Sequence, residues 1–177
     1  MTYPSPYLPA QMPKTLSLDS QPIECPQERE SILLVEDDED LSAVLKILLQ
    51  SQNYDVCVAN RGVQGIGDIL SRDFDVIICD MVMPTMPGDM FYLAVKKVKP
   101  HLCRRFIFIT GHQHQPRIAA FLATVDRTIL IKPLATRDLF LHVAGVISET
   151  GRRRELGVEP EQFEWFPAKA ALGERNG

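Results

Sequence analysis

Residues 32 to 40 read ILLVEDDED: four apolar residues run straight into five consecutive carboxylates, Glu36, Asp37, Asp38, Glu39 and Asp40. Neighbouring like charges repel, and a carboxylate drawn out of water is costly unless something positive answers it. Such a run is either a solvated loop, the commoner case, or the holder of a cation. Other apolar runs also end in polar groups: Cys79-Asp80-Met81-Val82-Met83-Pro84, Ile109-Thr110-Gly111 and Ile131-Lys132-Pro133. If these runs are neighbouring strands, Glu36, Asp37, Asp80, Thr110 and Lys132 converge on one pocket. Three carboxylates there suit a hard divalent cation with oxygen ligands, such as Mg2+. Lys132 would add an ammonium and Thr110 a hydroxyl donor. Asp38, Glu39 and Asp40 fit a loop and first helical turn, where carboxylates suit the helix dipole. His112 and His114 have no further ligand types close by and are read as loop histidines.

The elements that must position these groups are legible as alternating patterns. Strands are predicted at 31–36, 54–58, 74–79, 105–110 and 128–131. Their nearly continuous apolar character is that of strands covered on both faces. Between them, Leu41, Val44, Leu45, Leu48 and Leu49 form a helical stripe,. Phe91, Val95 and Val98 form a second after Gly88, and Ile118, Phe121 and Leu122 a shorter one. Leu139, Val143, Val146 and Ile147 form the last, after Thr136 as a candidate N-cap,. Gly62, Gly65 and Gly67 weaken the helix between the second and third strands. They follow no dinucleotide-binding fingerprint and read as sites of close packing. Five strand–helix alternations define an α/β fold, a doubly wound five-stranded parallel sheet with right-handed crossovers. Ligands of such sheets sit at the carboxyl ends of the strands, where the strand order switches.

Composition sets outer bounds. The chain has 177 residues, 45% hydrophobic and 24% charged, with a net charge of -4. This mild acidity gives no reason to expect nucleic acid as a partner. No apolar run approaches the ~20 residues of a membrane helix, and no signal peptide is visible. Cys25, Cys57, Cys79 and Cys103 are widely spaced, which fits a reduced cytoplasmic setting better than a disulfide framework,. Residues 1–30, rich in proline, read as an N-terminal tail, 31–150 as the folded domain, and 151–177 as a C-terminal tail.

The set VEDD, DMVMPTMPG, FIFITG and LIKP resembles the receiver domain of bacterial two-component response regulators, over roughly residues 31–150. The resemblance implies a flavodoxin-like receiver fold with flanking tails, and a phosphoacceptor at Asp80. It implies a Mg2+ site from Glu36, Asp37, Asp80 and the carbonyl of Val82, with Thr110 and Lys132 contacting phosphoryl oxygens. Lys132-Pro133 would be a cis peptide. The implied partners are a histidine kinase or phosphotransfer protein and a downstream protein target, with no membrane and no nucleic acid involved. Phosphorylation-dependent dimerisation stays open. Ile129 stands where many receivers carry an aromatic switch residue, so the coupling of Thr110 would run through packing near Ile118 and Phe121.

Two alternatives stand beside this reading. A Mg-dependent aspartyl-phosphate phosphohydrolase would carry a general acid two residues after its nucleophile, where this chain has Val82. The other is a phosphorylation-independent binding module. The residues after 150 are too few for a helix-turn-helix or enzymatic output domain, so the expected output is another protein. Arg152-Arg153-Arg154 reads as a solvated helix end. Phe163, Trp165 and Phe166 read as a docking segment, expected near the fourth helix, fifth strand and fifth helix.

Overall fold

The apolar runs pair as parallel strands, with helices packed on both faces of the sheet. The computed structural model describes residues 29–155. The strands are β1 (Ser31–Val35), β2 (Asp55–Ala59), β3 (Val76–Asp80), β4 (Phe106–Thr110) and β5 (Thr128–Ile131). The helices are α1 (Glu39–Ser51), α2 (Gly62–Ser71), α3 (Gly88–Val98), α4 (Pro116–Leu122) and α5 (Thr136–Glu155), and a 3-10 turn at Pro100–Arg105 precedes β4. The sheet order is β2-β1-β3-β4-β5, parallel throughout. The chain therefore steps from β1 outward to β2 and then crosses to β3 on the other side. This reversal opens a crevice beyond the carboxyl ends of β1 and β3.

Successive residues of β1 feed opposite cores, as a strand's two-residue period requires. Ile32 and Leu34 join Leu45 and Leu49 of α1 and Leu139, Val143 and Val146 of α5. Leu33 and Val35 join Ile69 of α2, Phe91 and Val95 of α3, and Ile118 of α4. On this second face Tyr92, Phe106, Phe108 and Phe121 pack ring on ring, at 5.0 to 5.7 Å between centroids.

The inward stripes differ in detail from those expected. In α1 the buried line is Ser42, Leu45 and Leu49, whereas Val44 is 53% exposed. In α3 it is Phe91, Tyr92 and Val95, and Val98, the last helical residue, is half exposed. Each helix meets only one face of the sheet, so a narrow stripe suffices and its apolar flanks stay outside. Thr136 is the first residue of α5 rather than a cap before it, and α5 continues to Glu155.

The glycines of α2 divide. A side chain at Gly62 would press on Met86, and one at Gly65 on Phe91, but Gly67 faces open space. Close packing accounts for the first two only. Cys57, Cys79 and Cys103 are free thiols. No helix among the described residues is long and apolar enough to cross a membrane. Cys25, the proline-rich segment and Trp165 lie outside the described residues, as do the side chains of Arg152–Arg154.

Candidate functional site

The acid run divides at the end of β1. Glu36 continues the strand's line, its N–H bonded to the carbonyl of Ala59 at 3.2 Å, and is 1% exposed. Asp38 instead caps α1, its carboxylate accepting the N–H groups of Asp40 and Leu41, each at 3.0 Å. Glu39 and Asp40 occupy the first turn, where the helix dipole favours them. So the two solutions to the acid run coexist: the distal acids serve the helix, and the proximal ones face the crevice.

There the five residues singled out above meet at the strand ends. Asp80 is the last residue of β3 and only 6% exposed. Its Oδ1 accepts the Val82 N–H at 3.1 Å, and its Oδ2 accepts Lys132 Nζ at 2.8 Å. Lys132 also donates to Glu36 Oε2 at 3.0 Å. One ligand oxygen from each of Glu36, Asp37 and Asp80 lies within 4.8 Å of the others. Thr110 ends β4, fully buried, and its hydroxyl accepts the His112 N–H at 2.9 Å. The Lys132 N–H in turn bonds the Thr110 carbonyl at 2.9 Å, tying the ends of β4 and β5 together. The Lys132-Pro133 peptide is cis. His112 and His114 join no cluster of metal-ligating side chains among the described residues.

The electrostatics of this group are unbalanced. Burial, and then the charge of Asp80, push the Glu36 carboxyl up from 4.5 to about 7 despite its bond to Lys132. Burial works against the Lys132 charge, but hydrogen bonds to Asp80 and Glu36 overcome that and raise its pKa. One ammonium faces three carboxylates, two of them buried. The oxygen-only donor set and the surplus negative charge fit a hard divalent cation such as Mg2+.

The loop from β3 to α3 is held against this site by a glycine. A side chain at Gly88 would collide with the carbonyl oxygen of Asp80 and the Cα of Met81. The Gly88 N–H bonds the Met81 carbonyl at 3.2 Å. Within the same loop Thr85 stands at φ 68°, a left-handed conformation that a β-branched residue adopts only under strain,. A further tie is Arg117 of α4, whose guanidinium grips both oxygens of Asp89 at 2.8–3.0 Å, joining the N-termini of α3 and α4. Sequence gave no local signal for this pair, whose partners are 28 residues apart.

The parallel sheet and its acid-lined crevice at the switch point define a doubly wound α/β domain with a site suited to a cation,. A family model described as the response regulator receiver domain matches residues 32–144. The chain belongs to the response regulator receiver family. Among curated relatives, transcriptional regulatory protein ZraR of Escherichia coli O157:H7 is 31% identical over 103 residues, 58% of this chain and 23% of that protein. Response regulator ArlR of Staphylococcus haemolyticus is 26% identical over 117 residues, 66% of this chain and 52% of that one. The chain thus spans between about a quarter and a half of the length of these relatives. Among solved structures, chemotaxis protein CheY4 of Vibrio cholerae superposes with a TM-score of 0.61 at 26% identity, covering 67% of this chain and 99% of that one. A CheY-like receiver from Methanospirillum hungatei reaches 0.65 at 23% identity, over 71% and 99% of the two chains, a likeness of fold. Receivers in general are phosphoacceptors rather than enzymes. They exchange phosphoryl groups with histidine kinases or phosphotransfer proteins and bind Mg2+ in an acidic pocket.

Proposed function

We propose that this chain is the phosphoacceptor of a histidine-to-aspartate relay and that Asp80 takes the phosphoryl group. The observation that carries the reading is the Asp80 carboxylate itself. It is buried at the switch-point crevice, with the Lys132 ammonium on one oxygen and the Val82 N–H on the other. A carboxylate oxygen attacks the phosphorus of a phosphohistidine on a histidine kinase or phosphotransfer protein. An O–P bond forms, the N–P bond breaks, and the electron pair leaves with the imidazole nitrogen. Lys132 offsets negative charge on the transferring oxygens, the main task of catalysis in this chemistry. Glu36, Asp37, Asp80 and the Val82 carbonyl would hold Mg2+, which supplies positive charge against the carboxylates and the phosphoryl oxygens when bound. Val82 has no proton to give a leaving group, so a hydrolase with its general acid at that position gains no support.

Once Asp80 is phosphorylated, the Thr110 hydroxyl would donate to a phosphoryl oxygen. Its present partner, the His112 N–H, belongs to the loop leading to α4, and the β4–β5 tie would pass the shift onward. The output is then a reshaped surface around α4, β5 and α5 that a downstream protein, or a second copy of the chain, reads. Transcriptional regulation, which the name of ZraR states, is not carried over.

Intact mass measured after incubation with acetyl phosphate and Mg2+ tests the assignment. One phosphoryl group should be gained, and none in Asp80→Asn or with chelator present. Equal labelling of Asp80→Asn would overturn it.

A further inference from the structure

Two recesses flank α5, and their chemistry differs. At the end where α5 leaves the domain, Ile147, Thr150 and Gly151 are surrounded by charges that include Asp55, Arg72 and Asp73. At the other end, beside the strands' carboxyl termini, an apolar groove of about 320 Å³ runs between α1 and α5, lined by Leu41, Val44, Leu48, Pro133, Leu134 and Leu139. Val44 stands 53% exposed there, an apolar flank that the domain's own core does not cover.

We propose that the segment Phe163–Phe166 of the same chain occupies this groove. Its sequence is built for an extended apolar insertion. Phe163 and Trp165 are two apart, with Glu164 between them, so in extended backbone both rings point one way and the carboxylate the other,. Pro167 biases Phe166 toward that same extended backbone,. The reach is sufficient. From Glu155 to Trp165 an extended chain spans up to ~33 Å, against ~24 Å from Glu155 back to Leu139 along α5, which leaves length for the reversal after Glu155. Trp165 and Phe166 then arrive at the Leu139 end of the groove. The charged rim next to Glu155 offers rings no cover, whereas the groove does. This places the segment on the α1–α5 side, where the apolar groove lies.

The groove's rim includes Lys132, whose ammonium sits on Asp80. Resting on the phosphoacceptor reading, a docked segment stands where a protein phosphodonor must approach, while a small donor passes. The segment is thus an intramolecular competitor of the relay partner.

Trp165, the chain's only tryptophan, reports the docking without any phosphodonor or metal, so its result is independent of the role of Asp80. In the full chain its emission should be blue-shifted relative to free tryptophan amide and protected from acrylamide, independently of protein concentration. Val44→Asp, at an exposed position, should return it to the solvent value. Leu93→Asp, equally exposed but on α3, should leave it unchanged. Solvent-like emission in the unaltered chain would overturn the proposal. So would a blue shift indifferent to Val44→Asp, or one that appears only as concentration rises. Trp165→Ala should then accelerate transfer from a histidine-phosphorylated protein several-fold and leave acetyl phosphate labelling unchanged. Equal acceleration with both donors would refute the competition.

Discussion

Strand β3 has an ion cluster near each of its ends, and the two solve opposite problems. Beyond its carboxyl end, Asp80 and Glu36 share the single ammonium of Lys132 inside the crevice. Before its amino end, Asp73 alone holds both Lys99 and His101, each at 2.7 Å, with its side chain 42% exposed. At the lower cluster partial burial raises the Asp73 pKa, but hydrogen bonds to Lys99 and His101 outweigh it and lower the carboxyl below 3.8. At the upper one burial and Asp80 push Glu36 up to about 7. An ammonium and an imidazole on one solvated acid make a cluster satisfied within the chain. Two buried acids on one cation leave a deficit that an outside cation can fill. The difference in sign separates a structural ion pair from a site.

The largest expected consequence is in the pH dependence of stability. Without metal, the folded chain binds more protons than the unfolded one between pH 4.5 and about 7, because the Glu36 pKa is raised. Stability should therefore fall as pH rises through that window, by about 3 kcal/mol, and then level off. Urea midpoints in chelator should show this decline, and Glu36→Gln should flatten it. The Asp73 contribution runs the other way: present above pH 3.8, it is lost only as acid titrates its lowered pKa,.

Next in size is Gly88→Ala, whose added methyl meets the backbone of Asp80 and Met81. Overpacking against backbone should cost ~1–3 kcal/mol, whereas Gly67→Ala, facing open space, should stabilise α2 by several tenths of a kcal/mol. Urea unfolding of the two variants checks both signs.

Neutralising the paired acids sharpens the contrast further. Asp80→Asn in metal-free protein at pH 8 should stabilise the fold by about 1 kcal/mol, since it relieves repulsion with Glu36. Asp73→Asn should destabilise it by roughly 0.5 kcal/mol, the scale of a solvent-screened pair. Changes of the same sign in both variants would erase the distinction between the two ends.

Sequence carried much of this contrast, because a buried parallel strand is a continuous apolar run and its polar terminus is visible as the residue that ends the run. Asp80, Thr110 and Lys132 stand out for that reason, and Glu36 because an acid rarely follows four apolar residues unprovoked. The inward stripes were less legible: Val44 and Val98 are as apolar as Leu45 and Val95, and only the packing angle of each helix on the sheet selects among them. Ser42 and Tyr92 reach the core for the same reason. Gly88 could be seen as a helix start, but the carbonyl it must accommodate comes from a folded loop. The Asp73 and Asp89 clusters join residues 26 to 28 positions apart, with no local spacing to betray them.

The measurement that bears most directly on the surplus charge is the Mg2+ dependence of stability at pH 8. Saturating Mg2+ should raise the urea midpoint of the unaltered chain, because an ion bound only by the folded state stabilises it. The increment should persist in Asp73→Asn and nearly vanish in Asp37→Asn. A midpoint unmoved by Mg2+, or an increment as large in Asp37→Asn as in the unaltered chain, would contradict the account.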